Sequence, residues 1–319
     1  MDKLLSIIVA ADSATAEDLS IPLSSINNQL GIDFRQVEVI LIDNGRYQLD
    51  SLEPLRLFNH LKFRYIKPAQ IWAWEVALQQ GLTMATGKFV LFMGPNMQLN
   101  QVDVLQRFFV AAQDNSAAQI IGGLLLTQQM TTTREVTYQV GSTTRRLCGR
   151  MLNRALLMRA QIAFEAYGDY TEELVARLAE AVAGTHQHEE PGIACAQFLG
   201  RTVSEAVMAP SPTVLTPDWV RMMTRYFERL KALTPEQYPT TLGRCVVRFY
   251  TQLQAVPGAD REAMLALMAD LVRQNAAQWA HVAAFIDELR VSDRSMEAPW
   301  NHAPKQFDAY LARLQAVVA

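Results

Sequence analysis

Gly87-Lys-Phe-Val-Leu-Phe-Met-Gly-Pro-Asn-Met-Gln-Leu99 is the stretch whose reading decides the fold. After Lys88, Phe89 to Met93 form an unbroken apolar run, the pattern of a strand covered on both faces rather than on one. Gly94-Pro95 then breaks the run. In an open α/β sheet, ligands sit in the loop at the carboxyl end of such a strand, which makes Asn96 and its neighbours the first candidates for binding. That loop carries no acidic residue.

Outward from this strand the chain alternates between two periodicities. Residues 4–10, 37–42 and 61–66 read as strands, and 120–126 and 136–140 as two more. Between them, 16–30, 72–84 and 102–112 read as helices, the first with Leu19, Leu23, Ile26 and Leu30 at helical spacing and Gly31 to end it. Strands alternating with helices in this way predict a mostly parallel mixed sheet with helices on both faces. Its ligand crevice should follow the strand ends at Ala11-Asp12, Asp43-Asn44 and Gly94-Pro95-Asn96. From residue 216 the pattern is wholly helical. Thr216-Pro217-Asp218 opens one helix and Thr234-Pro235-Glu236 another, Pro257-Gly258 is a break, 263–289 reads as one long helix or two, and 307–317 as the last. The expected division is therefore an α/β domain over 1–215 and a bundle of four or five helices over 216–319.

Composition sets the outer limits. With 319 residues, of which 50% are hydrophobic and 19% charged, the chain can bury a large core and divide into two domains. A formal charge of −3 and a pI near 6.0 argue against a general nucleic-acid binder, since no basic stripe is available to neutralise phosphates. The local basic cluster Arg145-Arg146, with Arg150 and Arg154, is either a solvated face or a site for an anion. Cys148, Cys195 and Cys245 follow no metal-ligand spacing and fit a reducing compartment. No apolar run approaches the length of a membrane span, so the expected location is cytoplasmic, with peripheral work at the inner membrane face left open.

Three segments, in order and on the expected strands, resemble the family 2 glycosyltransferases with the nucleotide-sugar-binding, Rossmann-like GT-A fold. Ser6-Ile-Ile-Val-Ala-Ala-Asp-Ser13 is similar to the family's S-I-I-V-P-x-Y-N, and Glu38-Val-Ile-Leu-Ile-Asp-Asn-Gly-Arg46 to E-I-I-V-V-D-D-G-S. The segment from Ala77 to Met97 is similar to A-R-N-x-G-L-x-x-A-x-G-x-Y-I-x-F-L-D-x-D-D. A looser fourth match joins Arg150 to Leu157, Phe164-Glu165 and Thr171-Glu-Glu-Leu174 to the family's K-L-F-R-R-S-L-L, F-D-E and G-E-D. His188-Glu-Glu-Pro191 and Arg201-Thr-Val-Ser204 resemble its returning strand and the basic loop beyond. The resemblance extends over residues 4–205. It implies an inverting transfer of sugar from a nucleotide-diphosphate donor, a UDP-sugar before others, to a glycan, polymer or protein acceptor. Oligomer formation would fall to the helical domain.

On that reading Asp43 binds the nucleotide, because a carboxylate accepts hydrogen bonds from a base N–H or from sugar hydroxyls. Asp12, Asn44 and Asn96 line the same crevice. The alternative for Asp43 is that it organises the turn into Gly45. The family's D-x-D carboxylates hold a divalent cation on the diphosphate, but Gly94 and Asn96 stand at those positions. An amide oxygen brings no charge, so the Mg²⁺ or Mn²⁺ requirement should be weak or absent. Arg201, Arg150 or Arg46 can meet the phosphate charge instead. By resemblance the general base falls on Glu173, with Glu172 beside it. Adjacent helical residues point about 100° apart, so only one of the two faces the crevice, and both can instead serve the helix dipole. Trp72 and Trp74 either pack on the sheet or stack on a ligand. Loss of the acidic pair leaves a second reading open, a non-catalytic GT-A-like pseudoenzyme that binds a partner or a glycan.

Overall fold

The computed structural model describes residues 3–11, 16–45, 48–130, 135–142, 146–198 and 215–318. It separates into two compact units, Met1–Ala209 and Pro210–Ala319.

Among the described residues, the first unit is built on a nine-stranded sheet. Its parallel part consists of β1 (Leu5–Ala11), β2 (Val37–Asp43), β3 (Phe63–Ile66) and β4 (Phe89–Met93), in the order β3-β2-β1-β4. Every residue of β1, β2 and β4 is buried, which is why their sequences are apolar apart from Ser6, Glu38 and Asp43. Beyond β4 the pairing becomes mixed. β8 (Arg150–Asn153) runs antiparallel to β4 and to β6 (Ile120–Met130), and β6 also pairs with β7 (Val136–Ser142). β9 (Gln187–Phe198) lies parallel to β6 and receives the short β5 (Met97–Leu99) on its other side.

The helices of this unit among the described residues are α1 (Ala16–Asn27), α2 (Trp74–Met84), α3 (Val104–Asp114), α4 (Arg154–Arg159) and α5 (Thr171–Ala183). α1 stops three residues before its expected end, and Leu30 is exposed beyond it. Two glycines allow the close approaches this packing needs. A Cβ on Gly81 would meet Ile8 Cγ2 at 2.4 Å, and one on Gly87 would meet the Ser6 backbone nitrogen at 2.6 Å. At the amino-terminal end of the strands, Ser6 Oγ donates to Glu38 Oε1 at 2.6 Å and accepts from the Gly87 amide at 2.8 Å. The Thr86 amide and hydroxyl also donate to Glu38 Oε1, at 2.7 and 2.8 Å. Burial alone would raise the Glu38 pKa, but these donors outweigh it and hold the carboxyl below its ordinary value.

The second unit is helical: α6 (Pro217–Leu233), α7 (Tyr238–Leu253), α8 (Gly258–Gln274), α9 (Trp279–Ser292), the short α10 (Pro299–His302) and α11 (Pro304–Gln315). Thr216 caps α6 by accepting from the Trp219 amide at 3.3 Å. The helix expected from Thr234 begins only at Tyr238, because Thr234 is the carboxyl cap of α6. The segment 263–289 belongs to two helices. They part at Asn275, which donates to the Leu271 carbonyl at 2.6 Å and accepts from the Tyr238 hydroxyl. Phe227, Phe249 and Phe307 are fully buried in the core of this unit. No helix among the described residues is long and apolar enough to cross a membrane.

Candidate functional site

The parallel register brings the carboxyl ends of β1, β2 and β4 to one edge, with Ala11 opposite Asp43 and Met93 opposite Val9. Asp43 is fully buried there. Its Oδ2 accepts from the Leu49 amide at 2.7 Å and from the Tyr65 hydroxyl at 2.6 Å. Its Oδ1 is buried and accepts no hydrogen bond. One oxygen of the carboxylate thus organises the turn, and the other is left without a donor. An unsatisfied buried acceptor costs on the order of 1–3 kcal/mol, more when charged, so Oδ1 is a place where an incoming N–H or hydroxyl would be favoured.

Asn44, expected among the nucleotide contacts, has its side chain engaged elsewhere. Its Nδ2 donates to the Trp72 carbonyl at 3.0 Å and its Oδ1 accepts from the Trp72 amide at 2.7 Å. This two-point clasp fixes the segment leading into α2. Two residues on, Trp74 Nε1 donates to Glu172 Oε1 at 3.3 Å. A short series of contacts therefore links the end of β2 to the first turn of α5.

That first turn decides between the two glutamates. Glu173 turns to Arg177, accepting from its Nε at 2.7 Å and its Nη2 at 2.5 Å. Glu172 takes the opposite direction, toward Trp74. Burial pushes its pKa up, partly offset by the Trp74 hydrogen bond and the Arg146 charge. Cys148 lies close enough for the Glu172 charge to add to the burial that raises its own thiol pKa. Glu173, the expected base by resemblance, is consequently an ion-pair partner, and Glu172 is the carboxyl with the perturbed environment. Gln79 ties the same region to α2, its Oε1 accepting from the Phe164 amide at 3.1 Å, and the Phe164 ring meets Phe92 of β4 edge-on at 5.2 Å.

Asn96 lies in the turn between β4 and β5, which closes with the Met97 amide donating to the Gly94 carbonyl at 3.2 Å. No carboxylate occupies this turn, and among the described residues no group of three His, Cys, Asp or Glu could hold a metal ion. The described donor set does not fit a divalent cation at the D-x-D position. Arg150, expected as a phosphate contact, lies instead inside the sheet domain. It is fully buried, with Nη1 on Glu180 of α5 at 2.5 Å, Nη2 on Gln187 Oε1 at 3.3 Å and Glu189 of β9 at 3.9 Å. Its charge is spent on cross-linking α5 and β9 to β8. Asp12, Arg46 and Arg201 lie outside the described residues.

Two participants escaped the sequence reading. Tyr65, on the edge strand β3, donates to Asp43, and Trp74 gives Glu172 a hydrogen-bond donor where packing or stacking was expected. The alternation of β3 could have hinted at the first. Nothing local could have paired Trp74 with a residue 98 positions away.

No curated protein matches the chain in sequence. Among solved structures, S. aureus TarS 1–349 in complex with UDP-GlcNAc superposes with a TM-score of 0.68 at 16% identity, covering 99% of this chain and 90% of that one. The same fragment with UDP gives 0.65 at 16% identity and the same coverage. A structure of S. aureus TarS gives 0.55 at 14% identity, over 90% of this chain and 54% of that one. These likenesses establish a GT-A glycosyltransferase fold. The model of the family described as glycosyl transferase family 2 matches residues 6–168, a span that takes in Asp43, the β4 turn and Trp74 and ends just short of Glu172. With just over half of its length matched by that model, the chain belongs to glycosyl transferase family 2.

Proposed function

We propose that this chain transfers a sugar from a nucleotide-diphosphate donor to a hydroxyl of a glycan, polymer or protein acceptor, with inversion and with weak or no dependence on a divalent cation. The observation that carries the reading is Asp43 Oδ1, an unpartnered carboxylate oxygen buried at the carboxyl edge of the parallel strands. Asp43 accepts from the base or ribose of the donor, and Asn96 sits beside the diphosphate. Glu172 is the general base. It takes the proton of the acceptor hydroxyl as that oxygen attacks the anomeric carbon and the bond to the diphosphate breaks. A raised pKa suits this task, since a base whose pKa approaches the working pH accepts a proton more readily than an ordinary carboxylate. The TarS structures of this fold hold UDP and UDP-GlcNAc, so uracil is the first base to test.

Calorimetric titration with UDP, GDP and CDP, each with and without Mn²⁺, tests the reading. We expect one nucleotide to bind without metal, and Asp43→Ala to remove that heat. The Gly94 and Asn96 turn favours a second reading, a pseudoenzyme that keeps the fold to bind a partner or a glycan, and absence of heat with every nucleotide would select it.

A further inference from the structure

The helical unit contains a cleft of about 420 Å³ between α7, α8 and α11, with Tyr250, Gln254, Arg261, Gln306, Tyr310 and Arg313 in its lining. Among the described residues no carboxylate lines it. Its two cations are in different states. Arg313 is neutralised by a two-point ion pair with Glu262, at 3.1 and 2.7 Å. Arg261 has no carboxylate partner among the described residues. Half-buried at the start of α8, it donates only from Nη2, to the carbonyls of Val256 at 3.1 Å and Gln254 at 3.4 Å. Its Nε–H is buried and bonded to nothing. Those carbonyls lie just past the end of α7, and the helix dipole accounts for a cation near them. Neutral carbonyls do not cancel a full charge drawn out of water, however, and they leave the Nε edge of the guanidinium unused.

A second buried group in the same lining is also unmatched. Tyr250 is 5% exposed and its hydroxyl makes no hydrogen bond. Tyr310, by contrast, donates to the Val246 carbonyl at 3.0 Å and belongs to the core. The cleft thus joins a guanidinium without a counter-ion, an unsatisfied phenol and the two amides of Gln254 and Gln306. A guanidinium fork matches the paired oxygens of a phosphate or a carboxylate, and the amides and phenol suit hydroxyl or amide groups beside it.

We propose that this cleft binds a polar ligand through a phosphate or carboxylate group seated on Arg261, independently of the nucleotide site. The test follows the Nε–H resonance of Arg261 by ¹H–¹⁵N NMR in the full chain, titrated separately with inorganic phosphate and with acetate. A saturable shift with either anion is expected, and the anion that binds more tightly identifies the ligand class. Gln306→Glu places a carboxylate in the lining while keeping Arg261 on its carbonyls, and should weaken binding about tenfold or more by supplying an internal counter-ion. Arg261→Gln removes the reporting resonance and is therefore read by calorimetric titration with the same anions, where it should abolish binding, and Gln306→Glu decides the matter should loss of the carbonyl contacts unfold that variant. No saturable shift with either anion, or equal binding by wild type and Gln306→Glu, would overturn the proposal.

Discussion

Glu172 and Glu173 differ by one residue and end in opposite chemistry. Glu172→Gln should lower transfer by about 10²–10⁴-fold, the usual contribution of a general base. Glu173→Gln should leave the rate within a few-fold and cost about 1 kcal/mol through its partly buried pair with Arg177. Donor-dependent rates and urea unfolding of both variants check this. The pH dependence follows from the raised Glu172 pKa. In the proposed role of general base Glu172 must be deprotonated to act, so kcat/KM should rise as pH passes the folded-state pKa, above the ordinary 4.5. Trp74→Phe removes the donor that opposes the shift and should move this acid limb to higher pH. A limb that stays in place would disconnect Trp74 from the base. For stability the sign is the reverse. The folded chain holds this proton more tightly than the unfolded one, so the contribution is full below the unfolded pKa and is lost as pH rises through the folded one.

Among the elements, β1, β2 and β4 meet so closely at their amino-terminal ends that one methyl group is too much. Gly87→Ala would press a Cβ against the Ser6 backbone and should cost about 1–3 kcal/mol in denaturant unfolding. The Glu38 carboxylate organises the same end, and its lowered pKa sets the opposite pH sign from Glu172. Its stabilisation is present above the unfolded value of about 4.5 and fades as pH falls through the folded one, and Glu38→Gln should remove that part of the acid sensitivity. The three strands were readable because each is covered on both faces. β9 was harder, since Pro191 and Gly192 interrupt it where its register against β6 shifts between Gly122 and Leu124. β5 is only three residues long and owes its existence to β9, far along the chain, through the pairs from Leu99–Cys195 to Met97–Gln197.

For the whole molecule, each unit carries its own core. The helical unit is centred on Phe307, fully buried, with its ring meeting Tyr250 edge-on at 5.0 Å. Phe307→Ala should destabilise that unit by about 3–5 kcal/mol, seen as a lower calorimetric midpoint. What the sequence by itself determined was the alternation of buried strands and helices, the helical third, the family resemblance and the place of Asp43 at a strand end. All of these are local, because apolar period, capping residues and turn residues act over a few positions. The tertiary structure decided what depends on partners far along the chain. Arg150 reads as an exposed cation until Glu180, Gln187 and Glu189 gather around it. Helical geometry states that Glu172 and Glu173 diverge, but only Trp74 on one side and Arg177 on the other assign the directions. Desolvation and charge pairing are sums over neighbours in space, and the chain's order does not contain that list.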